Sequence, residues 1–263
     1  MPSSFRKRVK SSLFQQCLEI ISPMISVGDF ESAFEQMKEY HIGPDTLNNR
    51  NENFLWRFID ALNDHDMFGN RSSYIRPFPT ARHNFLTMIK AFVKQGVDLN
   101  HQDNLGFTVL IFAAHGSTLD FCNLLLQFDG VDIDLTDTMG FSALDVVITR
   151  FYGQRFTPAL NKRLPELNSE LVRLLLLNGA DPYRPYFNET TAPPTEYTKL
   201  DPYAWLKKDD CFFYKNPAHY VIEHSMEYAE RFAPEYKGRE EEEPLRKVFF
   251  DTLKEMGKVN EGK

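Results

Sequence analysis

A motif of a dozen residues occurs twice in this chain at a set interval, and that interval constrains the fold more than any other feature. Residues 103–114 read D-N-L-G-F-T-V-L-I-F-A-A, and residues 137–148 read D-T-M-G-F-S-A-L-D-V-V-I. Both have an acidic start, a glycine, a phenylalanine directly after it, a hydroxyl residue, and a leucine two places on. Gly106 and Gly140 stand 34 residues apart, as do Gly96 and Gly130. Self-similarity of that length marks repeated helical units, each of which buries its apolar face only against a neighbour.

The shared residues have separate physical jobs. Gly106 and Gly140 sit where the chain must turn tightly, in a backbone conformation that side chains resist. Thr108 and Ser142 stand where a hydroxyl caps the first helix of a pair. Leu110, Ala113 and Ala114 would face neighbouring helices. Phe121, Leu124, Leu125 and Phe128 follow at the i, i+3, i+4, i+7 spacing of an amphipathic second helix. On these residues the stretch resembles the ankyrin-repeat family. The family's T-P-L-H element is altered, with Val109 and Ala143 in place of the proline and Ile111 and Asp145 in place of the histidine. Its hydrogen-bond network between repeats is therefore not expected to carry over unchanged.

The resemblance implies an all-α solenoid of stacked helix-turn-helix units, one domain over residues 1–263 with five repeats at about 13–47, 48–102, 103–136, 137–185 and 186–260. The first, carrying S-V-G-D-F-E-S-A-F-E-Q-M at 26–37, reads as the N-terminal cap. In the second, residues 51–62 supply the first helix and 85–100 its partner, whose Gly96, Asp98 and Asn100 resemble the family's G-A-D-x-N ending. The second helix of the fourth is E-L-V-R-L-L-L-L-N-G-A-D-P at 170–182, with Gly179 as its stop. In the fifth, N-P-A-H-Y-V-I-E-H at 216–224 restores something like the family element, with Pro217 suited to a first helical turn, and residues 244–257 supply the second helix. Long insertions separate the two helices of three repeats, at 63–83, from Phe151 to 165, and at 225–243, and residues 183–208 form a loop rich in proline and tyrosine.

Charge and composition exclude several classes. A net charge of −7, from 37 acidic and 30 basic residues, argues against a general nucleic-acid or membrane role. The apolar fraction of 42%, with 23 Phe, argues against general disorder. Three scattered cysteines, Cys17, Cys122 and Cys211, fit a reducing compartment better than a disulfide framework. No apolar run approaches the roughly 18 to 20 residues that span a bilayer. The basic start F-R-K-R-V-K at 5–10 looks like a signal-peptide opening, but Gln15, Gln16 and Glu19 interrupt the apolar segment that should follow. A soluble, cytoplasmic chain with a frayed basic N-terminus is expected.

Ankyrin-repeat proteins generally bind other proteins through hairpin tips and first helices. Carried over position by position, the partner-binding surface is Asn104, Leu105, Phe107 and His115 from the third repeat, with Thr138, Met139, Phe141, Thr149 and Arg150 from the fourth. Phe107 and Phe141 are expected to be its anchors, as large apolar groups held near a turn. The insertions offer a second surface, with Arg71, Tyr74, Arg76 and Phe78 in one and Phe151, Tyr152, Arg155 and Phe156 in another. Arginine with aromatics suits a protein interface and would also serve single-stranded nucleic acid.

Chemical signals are thin. Cys211 and His219 stand eight residues apart without the context of a known nucleophile and base. His219 and His224, five apart, turn to different faces of a helix and do not make a zinc pair. No cofactor or metal is expected, and His219 reads as a core group. The acidic run R-E-E-E-E-P at 239–244 resembles the C-terminal export signals of bacterial type IV effectors, many of which carry ankyrin repeats. Glu240 to Glu243 equally supply the negative charge favoured at a helix N-terminus. The expected activity is non-catalytic protein binding, with a host-directed effector, an activity in the 183–243 segment, or a nucleic-acid binder as the competing readings.

Overall fold

The computed structural model describes residues 10–43, 46–56, 79–116, 118–153, 164–185, 216–231, 237–238 and 242–258. The regular elements among them are helices: α1 Ser11–Val27, α2 Phe30–Glu39, α3 Pro79–Lys94, α4 Val109–His115, α5 Leu119–Leu125, α6 Ala143–Gly153, α7 Leu164–Leu177, α8 Pro217–Arg231 and α9 Pro244–Glu255. The fold is all-α, built of helix-turn-helix units. The helices group into two compact units, Met1–Val131 and Asp132–Lys263, and the division falls inside the repeat expected at 103–136.

In the first unit α1 packs on α2 and α3, and α4 packs on α5. Gly28, at φ 84, ends α1 in the left-handed region, and the Asp29 carboxylate then caps α2 by accepting from Ser32 N at 3.2 Å. Aromatic rings fill the interior. Phe14 of α1 stacks on Phe54 at 4.1 Å between centroids, and Phe34 of α2 stacks on Phe92 of α3 at 5.8 Å. Thr108 caps α4, its Oγ1 accepting from Ile111 N at 3.2 Å, and Leu110, Ala113 and Ala114 are buried as the periodicity expects. Phe121, Leu124 and Leu125 are buried too. Phe128 lies beyond the end of α5 and is only half-buried, because the helix stops one turn short of it.

In the second unit α6 packs on α7 and α8, and α9 packs on α7 and α8. Ser142 and Asp145 form a reciprocal cap on α6. Asp145 Oδ2 accepts from Ser142 N at 2.8 Å and from Ser142 Oγ at 2.7 Å. Asn216 opens α8, its Oδ1 accepting from His219 N at 2.9 Å, with Pro217 in the first turn where its missing N–H costs nothing.

The insertions are shorter than their sequence limits. Helix α3 begins at Pro79 inside the stretch 63–83, α6 continues through Gly153, and α8 runs on to Arg231 inside the stretch 225–243. The α8 extension has no proline or glycine to break it, the α6 extension ends on Gly153, and a proline opening α3 is compatible with a first turn.

Gly179 ends α7 at φ 102, and a methyl group added there would meet open space. Gly179→Ala should therefore cost about 1–2 kcal/mol through backbone strain alone. Chemical denaturation checks it, and a loss below a few tenths of a kcal/mol would show that the turn relaxes.

Candidate interaction surface

The two copies of the motif fold into the same hairpin. Asp103 Oδ1 accepts from Leu105 N at 2.8 Å and Phe107 N at 2.8 Å, while Asp103 N donates to Phe107 O at 3.0 Å. Asp137 Oδ1 accepts from Met139 N at 2.8 Å and Phe141 N at 2.9 Å, while Asp137 N donates to Phe141 O at 2.9 Å. Gly106 and Gly140 turn the chain at φ 81 and φ 86. One carboxylate thus closes each loop from below. Burial is the main influence on the Asp103 carboxyl and pushes it above the usual range, against the two backbone N–H groups that lower it.

This closure decides which side chains face water. Asn104 and Thr138 are exposed, Leu105 is 37% exposed, and Met139 and His115 are half-buried. Phe107 and Phe141, the expected anchors, are 5% and 3% exposed. They are core residues. Each lies past the glycine, next to the helix cap, and burying such a ring gains about 1.5–3 kcal/mol over leaving it in water. Thr149 and Arg150 are also buried, because α6 is covered along all of residues 143–150. Thr149 Oγ1 donates to Asp145 O at 2.8 Å inside its own helix.

The altered T-P-L-H position acquires a different polar link. Arg184 Nη2 pairs with the fully buried Asp145 carboxylate and also donates to Gly140 O at 3.3 Å. The hairpin at 137–141, the start of α6 and the turn after α7 are held together by this one guanidinium. In the third repeat the equivalent Ile111 is buried and apolar.

Of the second-surface residues, Arg71, Tyr74, Arg76, Phe78, Arg155 and Phe156 lie outside the described residues. Phe151 is half-buried, and Tyr152 is fully buried instead of facing solvent. Its hydroxyl donates to Glu243 Oε2 at 3.0 Å, and its ring lies against Tyr220 and His224 of α8, at 6.2 and 5.6 Å between centroids. Glu243 also caps α9, accepting from Leu245 N at 3.2 Å and Arg246 N at 2.8 Å. Within the acidic run it therefore acts as a helix start. Burial pushes the Glu243 carboxyl up, and burial together with the Glu243 charge holds the Tyr152 phenol well above its ordinary range.

Cys211 lies outside the described residues, and His219 is half-buried near the start of α8. Among the described residues no group of three or more His, Cys, Asp or Glu is placed to hold a metal ion, and no helix is long and apolar enough to cross a membrane.

Residues 80–186 match the family model for ankyrin repeats, in 3 copies. No curated protein matches the chain at a significant level. Ankyrin repeats are in general protein-protein interaction modules, and catalysis is not typical of them. The hairpins at 103–107 and 137–141, with the capped helices that follow them, fall inside the matched stretch, and residues 80–186 of the chain are ankyrin repeats.

Proposed function

We propose that the chain is a non-catalytic protein-binding module that meets its partner through its hairpin tips and the adjoining helix ends, at Asn104, Leu105, His115, Thr138 and Met139. The observation that carries this reading is the repeated hairpin, closed from beneath by a carboxylate so that the two residues after the aspartate project from a rigid loop. Preformed loops lose little conformational entropy on binding. Leu105 supplies the apolar anchor that the buried Phe107 and Phe141 do not.

The perturbed titratable groups have structural work. Tyr152 and Glu243 hold α6 and α9 together. Cys17 and Cys122 are free and buried, and burial pushes the Cys17 thiol up to about 11, so neither is a ready nucleophile. Buried unpaired thiols are in keeping with a cytosolic site of action.

The test compares wild type with Leu105→Asp and Met139→Asp in a quantitative pull-down from lysate, after confirming that the variants melt like the parent. One protein retained by wild type and lost from either variant supports the reading. Equal capture by all three forms would move the binding site off the tips.

A further inference from the structure

We infer that residues 48–52 form a second tip beside the one at 103–107, and that Arg50 there engages a partner segment bearing a carboxylate beside an apolar side chain. The inference rests on the reading of the tips as the binding edge. Asn48 Oδ1 accepts from Arg50 N at 2.8 Å and Glu52 N at 3.0 Å, the bonds that Asp103 and Asp137 make to their own second and fourth followers. Asn48 N donates to Glu52 O at 2.9 Å, as Asp103 N does to Phe107 O at 3.0 Å. Asn51, at φ 65, stands where Gly106 has φ 81. Asparagine is the side chain that best tolerates this region. Asn53 then takes the place of Thr108, its Oδ1 accepting from Leu55 N at 2.9 Å. This tip lies outside the matched stretch, which begins at residue 80.

In this register Asn49 and Arg50 correspond to Asn104 and Leu105, and all four are exposed. The two tips are joined through their backbones. Asn104 N donates to Arg50 O at 3.1 Å, Asn104 Nδ2 to Asn49 O at 3.2 Å, and Asn51 Nδ2 to Gln102 O at 2.8 Å. The main chain at Arg50 is therefore held in place relative to Leu105.

The acids of both tips are turned under the loops. Glu52 accepts from Asn48 Nδ2 at 2.6 Å, and Asp103 accepts the backbone N–H groups of its own hairpin. With the Asn104 amide engaged on Asn49 O, the exposed positions 50 and 105 present one guanidinium and one isobutyl group. A carboxylate is the group that a guanidinium binds with two parallel hydrogen bonds, and an apolar neighbour would cover Leu105. A charge at the rim of an interface acts mainly on association rate and salt dependence.

The experiment pans the full chain against a phage-displayed random dodecapeptide library at low salt, then measures the enriched peptides on wild type, Arg50→Glu, Arg50→Gln and Leu105→Asp. Thermal melts confirm that the variants fold. Enriched peptides should pair Asp or Glu with a large apolar residue and bind Arg50→Glu at least about tenfold more weakly, with Arg50→Gln in between. Peptides lost with Leu105→Asp but indifferent to Arg50→Glu would overturn the inference and leave the tip reading standing. Peptides indifferent to both, or no enrichment over a control without the chain, would count against both. Enrichment of basic peptides would also overturn the role of Arg50.

Discussion

Replacing Asp145 with alanine lowers the stability of the unit Asp132–Lys263 by about 3 kcal/mol. The carboxylate is fully buried and serves three donors, Ser142 N, Ser142 Oγ and the Arg184 guanidinium. Loss of the cap alone costs about 1 kcal/mol. The larger part comes from Arg184, whose side chain is 17% exposed and keeps its hydrogen bond to Gly140 O but loses its counter-charge. Complete burial would raise the cost toward the upper end of about 3–5 kcal/mol for a broken buried pair, and the partial exposure of Arg184 keeps it lower. The double variant Asp145→Ala, Arg184→Met removes the stranded charge as well, so it should recover about half of the loss. Urea denaturation of the four forms gives the coupling directly. A single-variant loss below 1 kcal/mol, or no recovery in the double variant, would mean that the pair does not hold the turn after α7 to the start of α6.

That pair shows what the sequence could and could not disclose. The 34-residue interval, the turn glycines and the caps at Thr108 and Ser142 are local features, and each could be read because one residue type answers one backbone demand. The departure of Asp145 from the family element was visible, but its partner Arg184 lies 39 residues on, beyond any local pattern. The Tyr152 and Glu243 pair spans 91 residues and was hidden for the same reason.

The misplacement of Phe107 and Phe141 has another cause. Their position after the glycine suggested a tip, whereas the aspartate closing the loop makes the first two followers the tip and turns the fourth inward. The hairpin at 48–52 is not legible in the sequence because asparagine replaces both the aspartate and the glycine, so the chemistry persists while the letters change.

Glu243→Ala is expected to cost about 3 kcal/mol and to change how stability depends on pH. The side chain is fully buried and accepts three hydrogen bonds, two from the first turn of α9 and one from Tyr152 of α6. The cap contributes about 1 kcal/mol, and stranding a buried phenolic hydroxyl adds about 1–3 kcal/mol. Burial raises the carboxyl above its ordinary value of 4.5, so the folded state holds this proton more tightly than the unfolded chain does. The associated stability is fully present below that ordinary value and is lost as pH rises through the raised folded one. Tyr152 repeats the pattern in base, since its phenol is held well above 10.0 and its share is lost as pH climbs past the ordinary tyrosine range. Wild type should thus lose stability relative to Glu243→Ala as pH is taken from mild acid toward neutrality. Tyr152→Phe should lack the alkaline component. Parallel curves for wild type and Glu243→Ala across the acid range would mean that the carboxylate is hydrated in solution, and that α9 is held to α6 by its apolar face alone.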